Sequence, residues 1–153
     1  GNDNALMALA VHRASARGTI LVAAAGNAGP HAPPAYPGAL PDVIAVTAVD
    51  QNGAIFPEAN RGDYIAFAAP GVRIWVPGPD GRGRYETGTS LAAPFAVGPA
   101  ALEIMRGAAT DADSLRRRLA AKVRALGTGG KSPVFGYGLV QAGASCGVAT
   151  LAE

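Results

Sequence analysis

The sequence predicts an α/β fold in which a parallel sheet is flanked by helices. Two short, continuously apolar runs carry most of this reading: residues 19–24 and Val43–Val49. Their length and β-branched content are those of strands covered on both faces, not of strands that alternate between core and water. Helical periodicity supplies the rest, because stretches with apolar residues three and four apart stand before and after these runs. Strands that alternate with helices pair in parallel, since the crossover helix returns the chain to the same end of the sheet.

Taken in order, Asn2, Asp3 and Asn4 offer N-caps. Leu6, Leu9, Ala10 and Arg13 then recur at helical spacing up to Gly18, a residue suited to the left-handed position past a helix end. The first strand, 19–24, opens into a Pro- and Gly-rich loop over 26–41, and Val43–Val49 follows as the second strand. Asp50-Gln51-Asn52-Gly53 reads as a turn. Residues 65–68 and 72–76 read as short strands separated by Ala69-Pro70-Gly71, and 77–83 as a surface loop or hairpin tip. Residues 84–87 lead to Ser90, from which a helix is expected to run to about Arg106. Pro94 falls in its first turn, where a missing N–H costs little. Pro99 falls mid-helix and is expected to kink it. Asp111 or Asp113 caps a third helix with Leu115, Leu119, Val123 and Leu126 on one face, 127–133 is a loop, and 139–145 is read as a short final helix. No internal repeat or linker divides the 153 residues, so 1–153 is read as one domain.

Composition narrows the function classes. Half the residues are hydrophobic (49%) and only 16% are charged, with many Ala and Gly. That composition fits a closely packed α/β chain and excludes intrinsic disorder. Net charge is +2, and the basic residues 106, 116, 117, 118, 122 and 124 read as the solvated side of a helix. Without aromatic interleaving or a known module they do not point to nucleic acid. Arg61-Gly62-Asp63 is a turn tripeptide, and adhesion is set aside. The single cysteine, Cys146, allows neither an internal disulfide nor a metal cluster, and Ala144-Ser145-Cys146-Gly147 offers no base for a catalytic thiol. No apolar run reaches the length of a membrane span, and no signal peptide is present.

Chemistry concentrates in Gly88-Thr89-Ser90-Leu91-Ala92-Ala93-Pro94. Small neighbours leave the Ser90 hydroxyl open to a substrate carbonyl. A helix beginning there aims unpaired backbone N–H groups and its positive dipole end at the same point. That setting suits a serine nucleophile, whose attack creates an oxyanion. The competing reading is a Ser/Thr N-cap before a buried helix. Strand 19–24 runs into Gly26-Asn27-Ala28-Gly29-Pro30, and the Asn27 amide at a strand end can donate to an oxyanion. The competing reading there is a turn Asn that tolerates a left-handed backbone.

Together the two segments resemble the subtilisin-like serine proteases. Residues 88–94 resemble the nucleophile signature and Ala23-Ala24-Ala25-Gly26-Asn27 the oxyanion segment. The stretches 35–50, Asn60-Arg61-Gly62-Asp63-Tyr64, 67–72 and 135–142 are similar as well, so the likeness covers almost the whole chain. The resemblance implies a subtilisin-like fold, represented by its C-terminal half; with one side of that sheet encoded, strand 19–24 would stand at an exposed edge, which favours association, or would pair with something else. It implies Ser90 as nucleophile, with its backbone N–H and the Asn27 side chain as oxyanion donors. Ala24, Gly26 and Asn27 would form a wall of the primary specificity pocket, and Thr89 is placed with the substrate-binding residues. No cofactor is implied as required. A segment like Gly38, Leu40 and Val43 holds a weak Ca²⁺ or Na⁺ site through its carbonyls in some relatives, although a plain turn is the competing reading. Family members order their triad Asp, His, Ser, so the acid and base motifs are expected upstream of Asn27. Neither His12 nor His31 stands in the expected His-Gly-Thr setting.

The implied partners are a peptide or protein substrate and the N-terminal half of the catalytic domain. The implied location is extracellular or periplasmic for the full-length parent. Two readings compete with a serine endopeptidase: an inactive truncated remnant, and a binding module that reuses the fold. An α/β-hydrolase is disfavoured, because Ala92 stands where Gly-x-Ser-x-Gly ends in Gly.

Overall fold

The computed structural model describes residues 2–79, 81–107 and 109–142. Its centre is a three-stranded sheet of β1 (Leu21–Ala24), β2 (Val43–Val49) and β3 (Ile65–Pro70), in the order β1-β2-β3. All pairing is parallel, with Leu21 opposite Val43 and Ala45 opposite Ile65; the register shifts between Ala45 and Val46. β2 is buried at every position, as its unbroken apolar run requires, whereas β1 is half-buried throughout and pairs on one side alone among the described residues. The expected exposed edge is therefore present.

α1 (Ala5–Ser15) precedes the sheet, α2 (Thr89–Met105) lies across all three strands, and α3 (Ala112–Ala120) packs behind α2. Ala92, Ala96 and Ala100 recur every four residues along α2 and bring its backbone close to Ile44, Val46, Ala48 and Phe67 of the sheet. Leu115 and Leu119 of α3 complete this core. An antiparallel hairpin, β4 (Ile74–Pro77) with β5 (Gly83–Glu86), connects β3 to α2. Gly83 lies under the Trp75 indole, where a Cβ would come within 2.3 Å of the ring.

Several boundaries differ from the sequence reading, each for a local reason. β1 begins at Leu21 because the Thr19 N–H closes α1 on Ala14 O (3.1 Å), past a Gly18 at φ +86°. The strand expected over 72–76 starts at Ile74, because Arg73 turns at φ +55° and donates its N–H to Thr87 Oγ1. α2 runs through both prolines; it starts at Thr89, so Pro94 is its sixth residue and lies past the first turn, leaving Ser90 O without a helical donor as Pro99 leaves Phe95 O. Asp111, not Asp113, caps α3: its Oδ1 accepts from Ser114 N at 2.7 Å, and Ser114 Oγ accepts in return from Asp111 N. These bonds hold the Asp111 carboxyl below its ordinary value. Val123 and Leu126 lie beyond the end of α3, although Val123 still packs on the core.

The final helix does not begin at Leu139. Leu139 and Arg124 exchange two backbone hydrogen bonds, and Val140 N donates to Ala68 O, so this stretch runs extended beside β3. The remainder of that expected helix, and Cys146, lie outside the described residues.

Candidate active site

The site forms where β1 ends and α2 begins. Ala25 N still bonds to Val46 O (2.9 Å), and the chain then leaves the sheet through Gly26 at φ +111°. Ligand sites of parallel α/β sheets lie at this carboxyl end of the strands. A Cβ on Gly26 would stand 2.8 Å from Ala35 Cβ and from the Asn60 amide, so space and φ both demand glycine.

Three residues then lock together. Gly26 N donates to Thr89 Oγ1 (3.1 Å), and Thr89 Oγ1 donates to Asn27 Oδ1 (2.9 Å). Asn27 Oδ1 also accepts from Thr89 N (2.9 Å). A backbone N–H can only donate, so the atom facing it must be the amide oxygen. The Asn27 Nδ2 group therefore points the other way. A Cβ placed on Gly88 would lie 3.3 Å from Asn27 Nδ2 and 3.5 Å from Ser90 Oγ. The two polar atoms thus border the same small space, which Gly88 leaves open.

Ser90 is the second residue of α2, and its side chain is exposed. Gly88 is the N-cap and contributes no side-chain bond, so Ser90 does not serve as a helix cap. The first turn of α2 contains no acidic residue, and its dipole is left unneutralised at the serine. The Thr89 N–H is engaged by Asn27, while the Ser90 N–H and Asn27 Nδ2 have no protein acceptor among the described residues. An arrangement of one exposed hydroxyl and two unengaged donors is chemically suited to attack on a carbonyl and to holding the resulting oxyanion.

Backbone packing fixes where α2 starts. Gly88 N donates to Gly71 O (2.8 Å), and a Cβ on Gly71 would meet Ala48 Cβ at 2.6 Å and Gly88 O at 2.8 Å. The β3–β4 connection can approach the helix start this closely only with glycine at position 71.

The structure brings Gly26, Asn27, Thr89 and Ser90 into one cluster. Ala24 stands behind it at the end of β1, its carbonyl against Gly38, where a Cβ would come within 2.7 Å. Thr89, placed with the substrate-binding residues from sequence, has no exposed surface; its hydroxyl is engaged within the protein, and it sits behind Asn27. His12 Nδ1 donates to Asp42 Oδ2 (3.1 Å) on the α1 side, and no histidine hydrogen-bonds Ser90 among the described residues. Two described cavities lie elsewhere, one around Leu40, Arg116 and Lys131 and one around Val72, Ile74 and Tyr85.

Two supporting residues were not singled out from sequence. Asn60 is buried, and its side chain accepts from Ala28 N (2.8 Å) and donates to Pro33 O (3.0 Å), while its own N–H reaches Gly26 O (3.0 Å). Tyr64 donates its hydroxyl to Ala25 O (2.6 Å), and burial raises its pKa above the ordinary 10.0. Both stand in the family-like segment 60–64, but nothing local in that segment says which loop they hold.

Comparison with known proteins gives a consistent picture. Residues 1–138 match the model of the subtilase family. The chain is 35% identical over 140 residues to the Minor extracellular protease Epr of Bacillus subtilis (strain 168), covering 92% of this chain and 22% of that protein. It is 35% identical to Subtilisin DY of Bacillus licheniformis, covering 86% and 48%. Among solved structures, the Prenylagaramide maturation protease PagA superposes with TM-score 0.78 at 27% identity, over 95% of this chain and 56% of that one. The Patellamide maturation protease PatA gives 0.78 at 28%, with the same coverage. The chain therefore spans about half the length of these relatives, or less. Its fold is that of a serine-type peptidase domain, and the chain belongs to the subtilase family.

Proposed function

We propose that this chain supplies the nucleophile and the oxyanion donors of a serine endopeptidase. Ser90 Oγ attacks the scissile carbonyl carbon and gives its proton to the base of the other half; the tetrahedral intermediate breaks its C–N bond, the departing amine takes that proton, and the acyl-enzyme left on Ser90 is hydrolysed by water. Ser90 N–H and Asn27 Nδ2 hold the negative oxygen of each tetrahedral intermediate. The observation that carries this reading is that Asn27 Nδ2 and the exposed Ser90 hydroxyl border the same space above Gly88, at the helix start where the Ser90 N–H has no protein acceptor among the described residues. Ala24 and Gly26 supply backbone to the specificity pocket, and Thr89 acts as a positioning residue through Asn27.

The acid and base of the triad come from the N-terminal half of the catalytic domain. Two exposed features support that partner: the free edge of β1, and the apolar side of α2 bearing Phe95, Val97, Ile104 and Met105. Met105 is 82% exposed, far more than an apolar helix residue in a completed core. The reaction itself needs no cofactor. The complete protein acts outside the cell, as the name of the Bacillus subtilis relative says of that protein. No helix among the described residues is long and apolar enough to cross a membrane.

A second reading applies to the 153-residue chain by itself. With no imidazole bonded to Ser90 among the described residues, the hydroxyl stays protonated and is a weak nucleophile. Loss of triad members costs about 10⁴–10⁶ in rate in subtilisin, itself a member of this family.

Fluorophosphonate labelling separates the readings. In the complete domain the probe attaches to Ser90, Ser90→Ala abolishes attachment, and Asn27→Ala slows it by about 10²–10³, a figure that comes from subtilisin. Equal acylation rates in the parent and Asn27→Ala would remove Asn27 from the oxyanion hole. Rapid labelling of the isolated chain at Ser90 would refute the need for a second half.

A further inference from the structure

The segment Gly38, Leu40 and Val43, whose resemblance implies a weak Ca²⁺ or Na⁺ site, lines a cavity of about 320 Å³ in part, through Leu40 and Val43. The donor set present there does not fit a metal cation. Arg116 of α3 enters the same cavity, and its Nη2 donates to Val43 O (2.8 Å) and to Pro41 O (2.5 Å). Leu40 O already accepts from Val43 N (3.0 Å). Of the three carbonyls, two therefore have donors. Lys131 lies on the same wall, with Nζ on Asp63 O (2.9 Å). The charged lining residues are thus Arg116 and Lys131 against the single carboxylate of Asp63. Asp113 meets Arg116 at its other terminal nitrogen (Nη1, 2.5 Å), from an exposed position on α3.

We infer that the Arg116 guanidinium takes the place of a structural cation and ties the Pro41–Val43 carbonyls to α3. A guanidinium stays charged at every pH the fold survives and delivers its N–H groups in a fixed plane. It gives the carbonyls what Ca²⁺ or Na⁺ would give them, without a dissociation equilibrium. A metal ion on Val43 O would sit about 2.3–2.6 Å from that oxygen. It would share the oxygen with a guanidinium nitrogen already at 2.8 Å, and like charges at that range repel strongly in a half-buried site. This loop is held by the side chain that follows the Asp111 cap, and its stability is coupled to the folding of α3.

The test uses the complete protein. Thermal unfolding of wild type and Arg116→Ala is followed across Na⁺ and Ca²⁺ titrations, with chelator as baseline. Arg116→Ala melts lower and gains a cation-dependent rise in midpoint that wild type lacks; Arg116→Lys melts between the two and gains no such rise. An identical cation response in wild type and Arg116→Ala overturns the inference, as does an unchanged midpoint in Arg116→Ala. Should Arg116→Ala not fold, terbium binding to wild type decides. Tyr64 and Tyr137 line the cavity and would sensitise a bound ion. No tyrosine-sensitised emission that falls in Tyr137→Phe is expected, and its appearance refutes the assignment.

Discussion

Thr89→Val is the sharpest probe of the site, because it removes one oxygen and keeps the side-chain volume. The wild-type hydroxyl accepts from Gly26 N (3.1 Å) and donates to Asn27 Oδ1 (2.9 Å) in a residue with no exposed surface. Each bond contributes about 0.5–1.5 kcal/mol net, and an orphaned Gly26 N–H costs about 1–3 kcal/mol. These overlap, so the expected loss is about 2–3 kcal/mol. For a domain of this size the melting temperature falls by roughly 2–4 °C per kcal/mol, or about 5–10 °C in all. Activity responds separately. Asn27 Oδ1 keeps its bond from Thr89 N (2.9 Å), so the amide is loosened, not lost. A displacement of under 1 Å costs about 10–100-fold in acylation. That is less than the cost of deleting the donor. The assay is single-turnover acylation and steady-state hydrolysis of a peptide anilide by the complete domain. The oxyanion exists only along the reaction path, so kcat falls while KM holds. Thr89→Ser, which restores the oxygen, recovers both rate and stability. A Thr89→Val enzyme with wild-type acylation and wild-type melting would refute the positioning role.

Further outcomes follow from other parts of the structure. Gly26→Ala forces a Cβ within 2.8 Å of Ala35 and Asn60 at φ +111°, and strain plus overpacking destabilise by about 2–4 kcal/mol, read by denaturant unfolding. The isolated chain self-associates through the β1 edge and the Phe95–Met105 side of α2; light scattering checks this, and a monodisperse monomer with sharp cooperative unfolding would overturn it. The Asp111 carboxyl has a lowered native pKa, so its stabilisation is complete above the ordinary value of 3.8 and is lost as pH falls through the native one. Asp111→Asn, which still caps, removes this acid-side dependence from α3, measured by helix circular dichroism between neutral pH and pH 2.

What the sequence determined by itself is what short-range physics controls. The unbroken apolar run Val43–Val49 could only be a strand covered on both faces, and it is buried at all its positions. A cap before the third helix was legible as Asp111 or Asp113, and the bonds between Asp111 and Ser114 chose the first. The exposure of Ser90 and Asn27 was legible, because each stands in a motif of small residues. Tertiary structure alone decided what those residues touch. Thr89 reads as a neighbour of the substrate in sequence, yet α2 crosses the end of β1 so closely that its hydroxyl points inward to Gly26 and Asn27. Asn60 and Tyr64 hold the loop that leaves β1 through bonds that exist only once β3 lies parallel beside β2. The basic residues of α3 look like one solvated face, but Arg116 turns onto the carbonyls of Pro41 and Val43 because α3 packs against α2 and reaches the start of β2. Propensity and capping depend on neighbours within a turn or a strand pair. Hydrogen-bond partners across the fold depend on register and helix placement, which no stretch of this sequence specifies alone.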